Sequence, residues 1–355
     1  MKKKVVVGMS GGVDSSVAAC LLKEQGYHVI GATMRLWTYS DSCNMKHEGC
    51  CAESAVEDAR RVCDKLGIDF YVMNFKDMFK DKVVDYFVDE YIHGRTPNPC
   101  IACNKYLKFD ALLKKALAMG IDYVATGHYA KIEKGEDGKY ILRASEAVKK
   151  DQSYVLYNFT QEQLAHTLMP LGGYNKDWVR QKAEELGLGV AHKPDSQEIC
   201  FVEDDDYAKF ITDYSGYEPK EGDILDVNGN VIGKHRGLIY YTIGQRKGIG
   251  AYGRPMFVMK IDAENNTITL GEKGMEFSNE LTAYDVNFVS GEFPKENMLI
   301  TAKVRYQAPP AAAMLCPQKD GTVKLMFPEP QRAVTPGQAV VFYDGDIVLG
   351  GGTVL

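Results

Sequence analysis

No stretch of the 355 residues approaches the ~20 consecutive apolar residues of a membrane-spanning helix. The basic start Met1-Lys2-Lys3-Lys4 is followed by only a few apolar residues, short of the roughly 7–15 of a secretory core. The N-terminus therefore reads as cytosolic, with a buried strand as its first element. An even cysteine count is missing as well. Nine cysteines without a secretion signal argue against a disulfide scaffold and leave reactive or metal-binding thiols. There is no excess of positive charge: a net −6 argues against indiscriminate nucleic-acid binding but leaves room for a local basic patch. Internal repeats and low-complexity tracts are absent too. What remains is a chain 45% hydrophobic, ordinary for a globular protein and long enough for two or three domains.

The first third alternates strand and helix patterns. Lys3–Met9 is a compact β-branched run, Asp14–Gln25 has helical spacing and ends at Gly26, and His28–Met34 is again apolar. Ser54–Leu66 reads as helix, Phe70–Met73 as strand, Lys105–Met119 as helix and Tyr123–Thr126 as strand. That order predicts a parallel sheet wrapped by helices. Gln161–Leu186 reads as helical, interrupted by Pro170, Gly172 and Gly173. From about Gly216 turns dominate. Short alternating runs at Asp285–Ser290, Leu299–Tyr306, Thr322–Met326, Gln338–Tyr343 and Ile347–Leu355 predict a small all-β C-terminal domain.

Gly8-Met9-Ser10-Gly11-Gly12-Val13-Asp14-Ser15-Ser16 links the first strand to the first helix. Glycines there let the backbone turn tightly and aim amides at an anion, and the helix N-terminus adds partial positive charge. Asp14 is a candidate Mg²⁺ ligand. The Walker lysine is missing, and the glycine spacing is not that of a dinucleotide fingerprint. The bland alternative is a tight turn with Asp14 and Ser15 capping a helix. The stretch S-G-G-V-D-S is more specific than that. It resembles the signature of the PP-loop ATP pyrophosphatases, which split ATP between the α- and β-phosphates and transfer AMP to an oxygen.

Thr96-Pro97-Asn98-Pro99-Cys100-Ile101-Ala102-Cys103-Asn104-Lys105 places C-x-x-C in a proline-stiffened loop before a helix. Cys103 at a helix N-terminus, with Lys105 and Lys108 in the next turn, is where thiolate is favoured. Half a zinc site is the alternative. A second thiol, Cys200, sits in D-S-Q-E-I-C at Asp195–Cys200; between Ile199 and Phe201 it reads equally well as an inert buried thiol. Cys43, His47, Cys50 and Cys51 form an unassigned cluster, while Cys20, Cys63 and Cys316 lie in core patterns.

These stretches, with A-T-G-H-Y at Ala125–Tyr129, K-K-D-Q-S-Y at Lys149–Tyr154 and G-Q-R-K-G-I-G at Gly244–Gly250, occur in one order. Along essentially its whole length the chain is similar to the bacterial tRNA-specific 2-thiouridylases of the MnmA type. The resemblance implies a Rossmann-like α/β PP-loop domain over residues 1–212, with a helical tRNA-binding part near 160–212. A central basic domain would follow over 213–278, then a β-barrel domain over 279–355. It implies that Gly8, Met9, Ser10, Gly11, Gly12, Val13, Asp14 and Ser15 bind ATP with Mg²⁺, and that Met34 and Gly127 lie beside the adenosine. Cys103 would be the nucleophile and Cys200 the persulfide carrier, forming a transient disulfide with Cys103. Asn98, Pro99 and Cys100 would face the target base, and His128, Lys149, Lys150, Asp151, Arg305, Tyr306 and Gln338 would lie near tRNA.

Many family members have Asp where this chain has Cys100, so an acid–base role for that position does not transfer. The change creates three candidate ligands, Cys100, Cys103 and Cys200, enough for an open four-iron, four-sulfur cluster. Persulfide chemistry ranks first and the cluster second. The implied partners are the lysine, glutamate and glutamine tRNAs and a cysteine desulfurase or sulfur-relay protein, with no membrane, in the cytoplasm.

Val231–Lys260 carries Lys234, Arg236, Arg246, Lys247, Arg254 and Lys260 and no Asp or Glu, with Tyr240, Tyr241, Tyr252 and Phe257 between them. That pattern predicts an RNA-facing segment; the alternative is a solvated basic face over a small aromatic core.

Overall fold

The computed structural model describes residues 2–37, 53–147, 150–195, 199–202 and 205–355. The cluster Cys43, His47, Cys50 and Cys51 lies outside these residues, as does Lys149.

The first seven strands are β1 (Lys4–Gly8), β2 (His28–Arg35), β3 (Asp69–Asn74), β4 (Tyr123–Ala125), β5 (Ala130–Lys134), β6 (Tyr140–Ala144) and β7 (Thr167–Leu168). All but β5 and β6 form a parallel sheet of order β3-β2-β1-β4-β7. Val5, Val6 and Val7 of central β1 are fully buried, and their side chains divide between the apolar clusters on the two faces. A continuous β-branched run is what a doubly covered parallel strand requires.

Helices α1 (Val13–Glu24) and α2 (Glu53–Leu66) cover one face. The other carries two helices of mixed winding. One runs α3 (Lys76–Phe79), a π-helical segment Lys80–Asp85 and α4 (Tyr86–Ile92); the other runs α5 (Pro99–Ala102), a π-helical segment Cys103–Ala111 and α6 (Leu112–Ala118). The interrupted stretch after residue 160 resolves into α7 (Gln161–Ala165), β7 and α8 (Lys176–Glu185), and α9 (Tyr207–Ser215) follows. The Thr160 hydroxyl and Gln163 amide close a reciprocal cap at the start of α7, and Asn175 caps α8.

Beyond α9, β8 (Gly222–Leu225), β9 (Val231–His235), β10 (Met256–Asp262) and β11 (Thr267–Glu272) form a four-stranded sheet with its own apolar cluster. The last six strands are β12 (Phe277–Phe288), β13 (Met298–Lys303), β14 (Ala311–Pro317), β15 (Val323–Arg332), β16 (Ala339–Asp344) and β17 (Ile347–Val354). Their order is β12-β15-β14-β13-β16-β17, closed into a barrel by β12 on β17. The expected strand at Asp285–Ser290 is the tail of this longer β12. Asp285 has φ +47°, at the register shift where β12 leaves β15 for β17. The hairpin β5–β6 from the first domain extends the barrel sheet through Arg143 opposite Ile347.

Candidate active site

The phosphate loop is set by backbone geometry. Gly11 has φ +69°, and a Cβ there would lie 2.3 Å from the Ala55 carbonyl oxygen, so no other residue fits. Ser15 Oγ accepts from Ser10 N–H at 3.2 Å, and Ser16 Oγ donates to the Gly12 carbonyl at 2.8 Å. Thr33 of β2 donates to the Met9 carbonyl at 2.9 Å, and Met9 N–H donates to the Ala32 carbonyl, fixing the loop to the neighbouring strand. Gly127 closes the loop from the β4 side: a Cβ there would meet Asp14 C and Ser15 N at 2.7 Å. The expected adenosine neighbour Met34 is half-buried on β2, the strand beside the loop.

Around this loop stand Lys176, which the motif reading missed, Lys150, expected near tRNA, and motif residues to which no role was given. Lys176 Nζ donates to both Asp14 oxygens at 2.7 and 2.8 Å, and the Tyr129 hydroxyl donates to Asp14 Oδ1 at 2.7 Å. Burial, reinforced by that carboxylate, pushes the Tyr129 hydroxyl well above the tyrosine range and keeps it a donor. Lys176 also reaches Asp195 at 2.6 Å, whose other oxygen accepts from Lys150 at 2.7 Å. Burial by itself would raise the Asp195 carboxyl, but hydrogen bonds from Lys150 and Lys176 outweigh it and hold the group below the usual carboxylate range. Lys193 Nζ donates to the Gly11 carbonyl at 3.1 Å and to Asp58 at 2.9 Å. Lys176 thus occupies both carboxylate oxygens of Asp14, the expected Mg²⁺ ligand.

The C-x-x-C stretch corrects one expectation. The helix starts at Pro99, with the Asn98 side chain accepting from Ile101 N–H at 3.3 Å, so Cys100 rather than Cys103 lies in the first turn. The helix-terminal field falls off within that turn and acts on Cys100. Lys105 is committed to Asp285 at 2.7 Å and, with Asn98, Ile101 and Ala102 of the same stretch, lines a cavity of about 420 Å³ between the π-helical segments and the barrel. Cys100 is exposed, Cys103 is buried at the junction of α5 and the π-helical segment, and Cys200 is exposed. Cys103 and Phe201 belong to one apolar cluster. Phe201 packs on Phe79, Phe87 and Phe210 at ring separations of 5.6, 5.3 and 5.2 Å, which anchors the residue after Cys200. Cys20 and Cys63 are core thiols pushed up to about 11 and about 12 by burial.

Among the described residues, no three His, Cys, Asp or Glu side chains converge as metal ligands.

The expected RNA-side residues separate into groups. The Tyr306 hydroxyl donates to the Asp151 carbonyl at 3.1 Å, and Cys100 lies close enough to bear on that hydroxyl. Arg305 is tied to the Arg332 carbonyl, and the Asp151 carboxylate accepts from Ser145 and Ser153. Gln338 donates to the Thr96 carbonyl at 2.8 Å, so it holds the cysteine loop to the barrel. His128 is inside rather than on the surface, against Thr126 at 2.7 Å and the Phe109 ring. In the basic segment, Lys234 pairs with Asp223, Arg254 with Glu272 and Lys260 with Asp262, and Arg236 stacks on Tyr240. Tyr241 and Phe257 are buried, while Arg246 and Lys247 stay exposed. Half of the apparent charge is thus balanced by carboxylates on β8, β10 and β11, and the aromatics are largely core.

Three family models match successive parts of the chain. They are a tRNA methyl transferase HUP domain over residues 3–204, a tRNA methyl transferase PRC-barrel domain over 208–272 and an aminomethyltransferase β-barrel domain over 278–354. The tRNA-specific 2-thiouridylase MnmA of Acetivibrio thermocellus is 60% identical, covering 99% of each chain. Its counterpart in Clostridioides difficile (strain 630) is 58% identical, covering 100% of this chain and 98% of the relative. A solved U34-tRNA thiolase, NcsA from Methanococcus maripaludis with its 4Fe-4S cluster, shares 20% identity, covering 60% of this chain and 66% of the other with a TM-score of 0.36. The chain belongs to the MnmA family of tRNA-specific 2-thiouridylases.

Proposed function

We propose that the protein is an ATP-dependent tRNA-uridine 2-sulfurtransferase acting at the wobble position in the cytoplasm. The family models carry a methyltransferase name, but relatives matching the full length at 57–60% identity carry the thiouridylase name. The observation that carries the mechanism is the shared apolar cluster of Cys103 and Phe201 beside the phosphate loop's sheet. It supports the reading by drawing the segments of Cys103 and Cys200, distant in sequence, onto one face of the sheet.

In this reading Gly8–Ser15 and the α1 N-terminus hold the phosphates of Mg²⁺-ATP. The uridine 2-oxygen attacks the α-phosphorus and pyrophosphate leaves. The terminal sulfur of a persulfide on Cys200 then attacks C2, and AMP departs with the original oxygen. Cys103 thiolate attacks Cys200 Sγ, the sulfur–sulfur bond breaks and 2-thiouridine is released. A Cys103–Cys200 disulfide remains, and a dithiol reductant supplying two electrons resets it. The adenylated base must be shielded from water, and a uridine leaves its stack most easily in an anticodon loop. Lysine, glutamate and glutamine tRNAs are the expected substrates, with a cysteine desulfurase or sulfur-relay protein as donor.

The test incubates metal-free protein with unmodified tRNA, Mg²⁺-ATP, a persulfide donor and reductant, followed by nucleoside mass analysis. Wobble 2-thiouridine with matching AMP is expected. Product that appears only after anaerobic iron and sulfide loading would overturn the persulfide route, and no product under either condition would overturn the thiolase reading.

A further inference from the structure

The phosphate loop has no lysine of its own at the position where a Walker loop carries one. Lys176, from the first turn of α8, stands over it instead. Its side chain is only 11% exposed, and its ammonium bridges Asp14, in the first turn of α1, to Asp195, five residues before Cys200. Two further cations complete the surroundings: Lys150 on the second oxygen of Asp195, and Arg180 at 3.8 Å from the first. Lys193, two residues before Asp195, is tied to the Gly11 carbonyl within the loop itself. Lys193 and Asp195, shortly before Cys200 in sequence, are thus both fastened to the phosphate loop through lysine ammonium groups.

A partly buried bridge of this kind adds little net stability, because desolvation offsets most of the attraction. A triphosphate is a stronger partner: several anionic oxygens arriving at the α1 N-terminus compete directly with Asp14 and Asp195 for the same ammonium. We infer that Lys176 is a nucleotide-phosphate ligand held ready by Asp14 and Asp195, and that its transfer to ATP loosens Asp195 and with it the segment carrying Cys200. The inference rests on the ATP reading above. It makes Lys176 a binding residue contributed from 162 positions away from Asp14, and Asp195 a positioning residue. It also gives the enzyme an order of events, because sulfur is presented only where nucleotide is already bound.

Binding of the α,β-methylene analogue of ATP to the full-length protein, measured by titration calorimetry, separates this from a structural bridge. Lys176→Met is expected to weaken binding by about ten-fold, which corresponds to ~1.4 kcal/mol, and Lys176→Arg to restore most of it. Asp195→Asn removes a competitor for the ammonium and is expected to tighten binding a few-fold. A structural bridge gives both variants the same sign, so weakening by Asp195→Asn as large as that by Lys176→Met overturns the inference. Unchanged binding by Lys176→Met does so as well. Alkylation of Cys200, followed by peptide mass, reads the coupling. The analogue is expected to change the wild-type rate at least about two-fold and to leave Lys176→Met unmoved; no effect in the wild type overturns the coupling. Failure of the wild type to bind the analogue at all overturns the ATP reading itself, a result distinct from the others.

Discussion

The two loops that meet at the sheet are held by different kinds of force. The phosphate loop is fixed by backbone: a left-handed glycine, two serines bonded within the turn, and ties to β2. Lys193 and Asp195, ahead of Cys200, are held by lysine–carboxylate pairs, and beside Cys200 the chain gains an apolar anchor in Ile199 and Phe201. Backbone turns are indifferent to salt and to bound anions. Ion pairs answer to both. The difference assigns each loop its part: one is a rigid cradle, the other a tether that charged substrates can rearrange.

The contrast predicts unequal sensitivities. Cys200→Ser is expected to abolish thiolation, a loss of about 10³-fold or more, while tRNA-dependent pyrophosphate release continues; loss of both activities together would contradict separate roles for the loops. Gly11→Ala is expected to remove nucleotide binding by about 100-fold, because its Cβ meets backbone at Ala55 rather than a yielding side chain. Equilibrium dialysis against the analogue reads it. Reversing Arg246 and Lys247 to Glu is expected to weaken tRNA binding and lower the log–log salt slope by about one per lost phosphate contact, with no effect on nucleotide affinity. Gln338→Ala removes the neutral hydrogen bonds to the Thr96 and Pro97 carbonyls of the cysteine loop, so a cost of about 1 kcal/mol is expected in denaturant titrations.

The smallest effect concerns His128. Burial holds its imidazole well below the ordinary value, so the folded protein keeps it neutral where the unfolded chain, near pKa ~6.5, takes up a proton. Its contribution is fully present above that pH and falls as the solution is acidified through it. His128→Gln is expected to flatten that part of a stability-versus-pH curve.

What was legible in the sequence was local. S-G-G-V-D-S and the β-branched run before it specify strand, turn and helix within a dozen residues, and the parallel sheet followed. Lys176 was not legible, because its partner lies 162 residues away and a lysine in a helix's first turn looks like any surface lysine. The helix at Pro99 could have been found: Asn98 followed by proline is a start signal, and placing the N-terminus at Cys103 overlooked it. The π-helical segments leave no comparable signal, since a wider turn costs no special residue type. In Val231–Lys260, charge was read without the carboxylates just outside the stretch, and Asp223, Glu272 and Asp262 supply that missing half.

The hairpin β5–β6 is sewn to the barrel through β17, and the loop before β16 grips Thr96 through Gln338. Ribosomes deliver residues in order, so the cysteine loop and the β5–β6 edge emerge some two hundred residues before their partners, about 10–40 seconds at ordinary elongation rates. For that interval the nascent chain has a phosphate cradle but an unbraced cysteine segment and an open strand edge, the state in which a chaperone has most to protect. Competence for sulfur chemistry is therefore timed by translation: it arrives with the closing strand of the barrel.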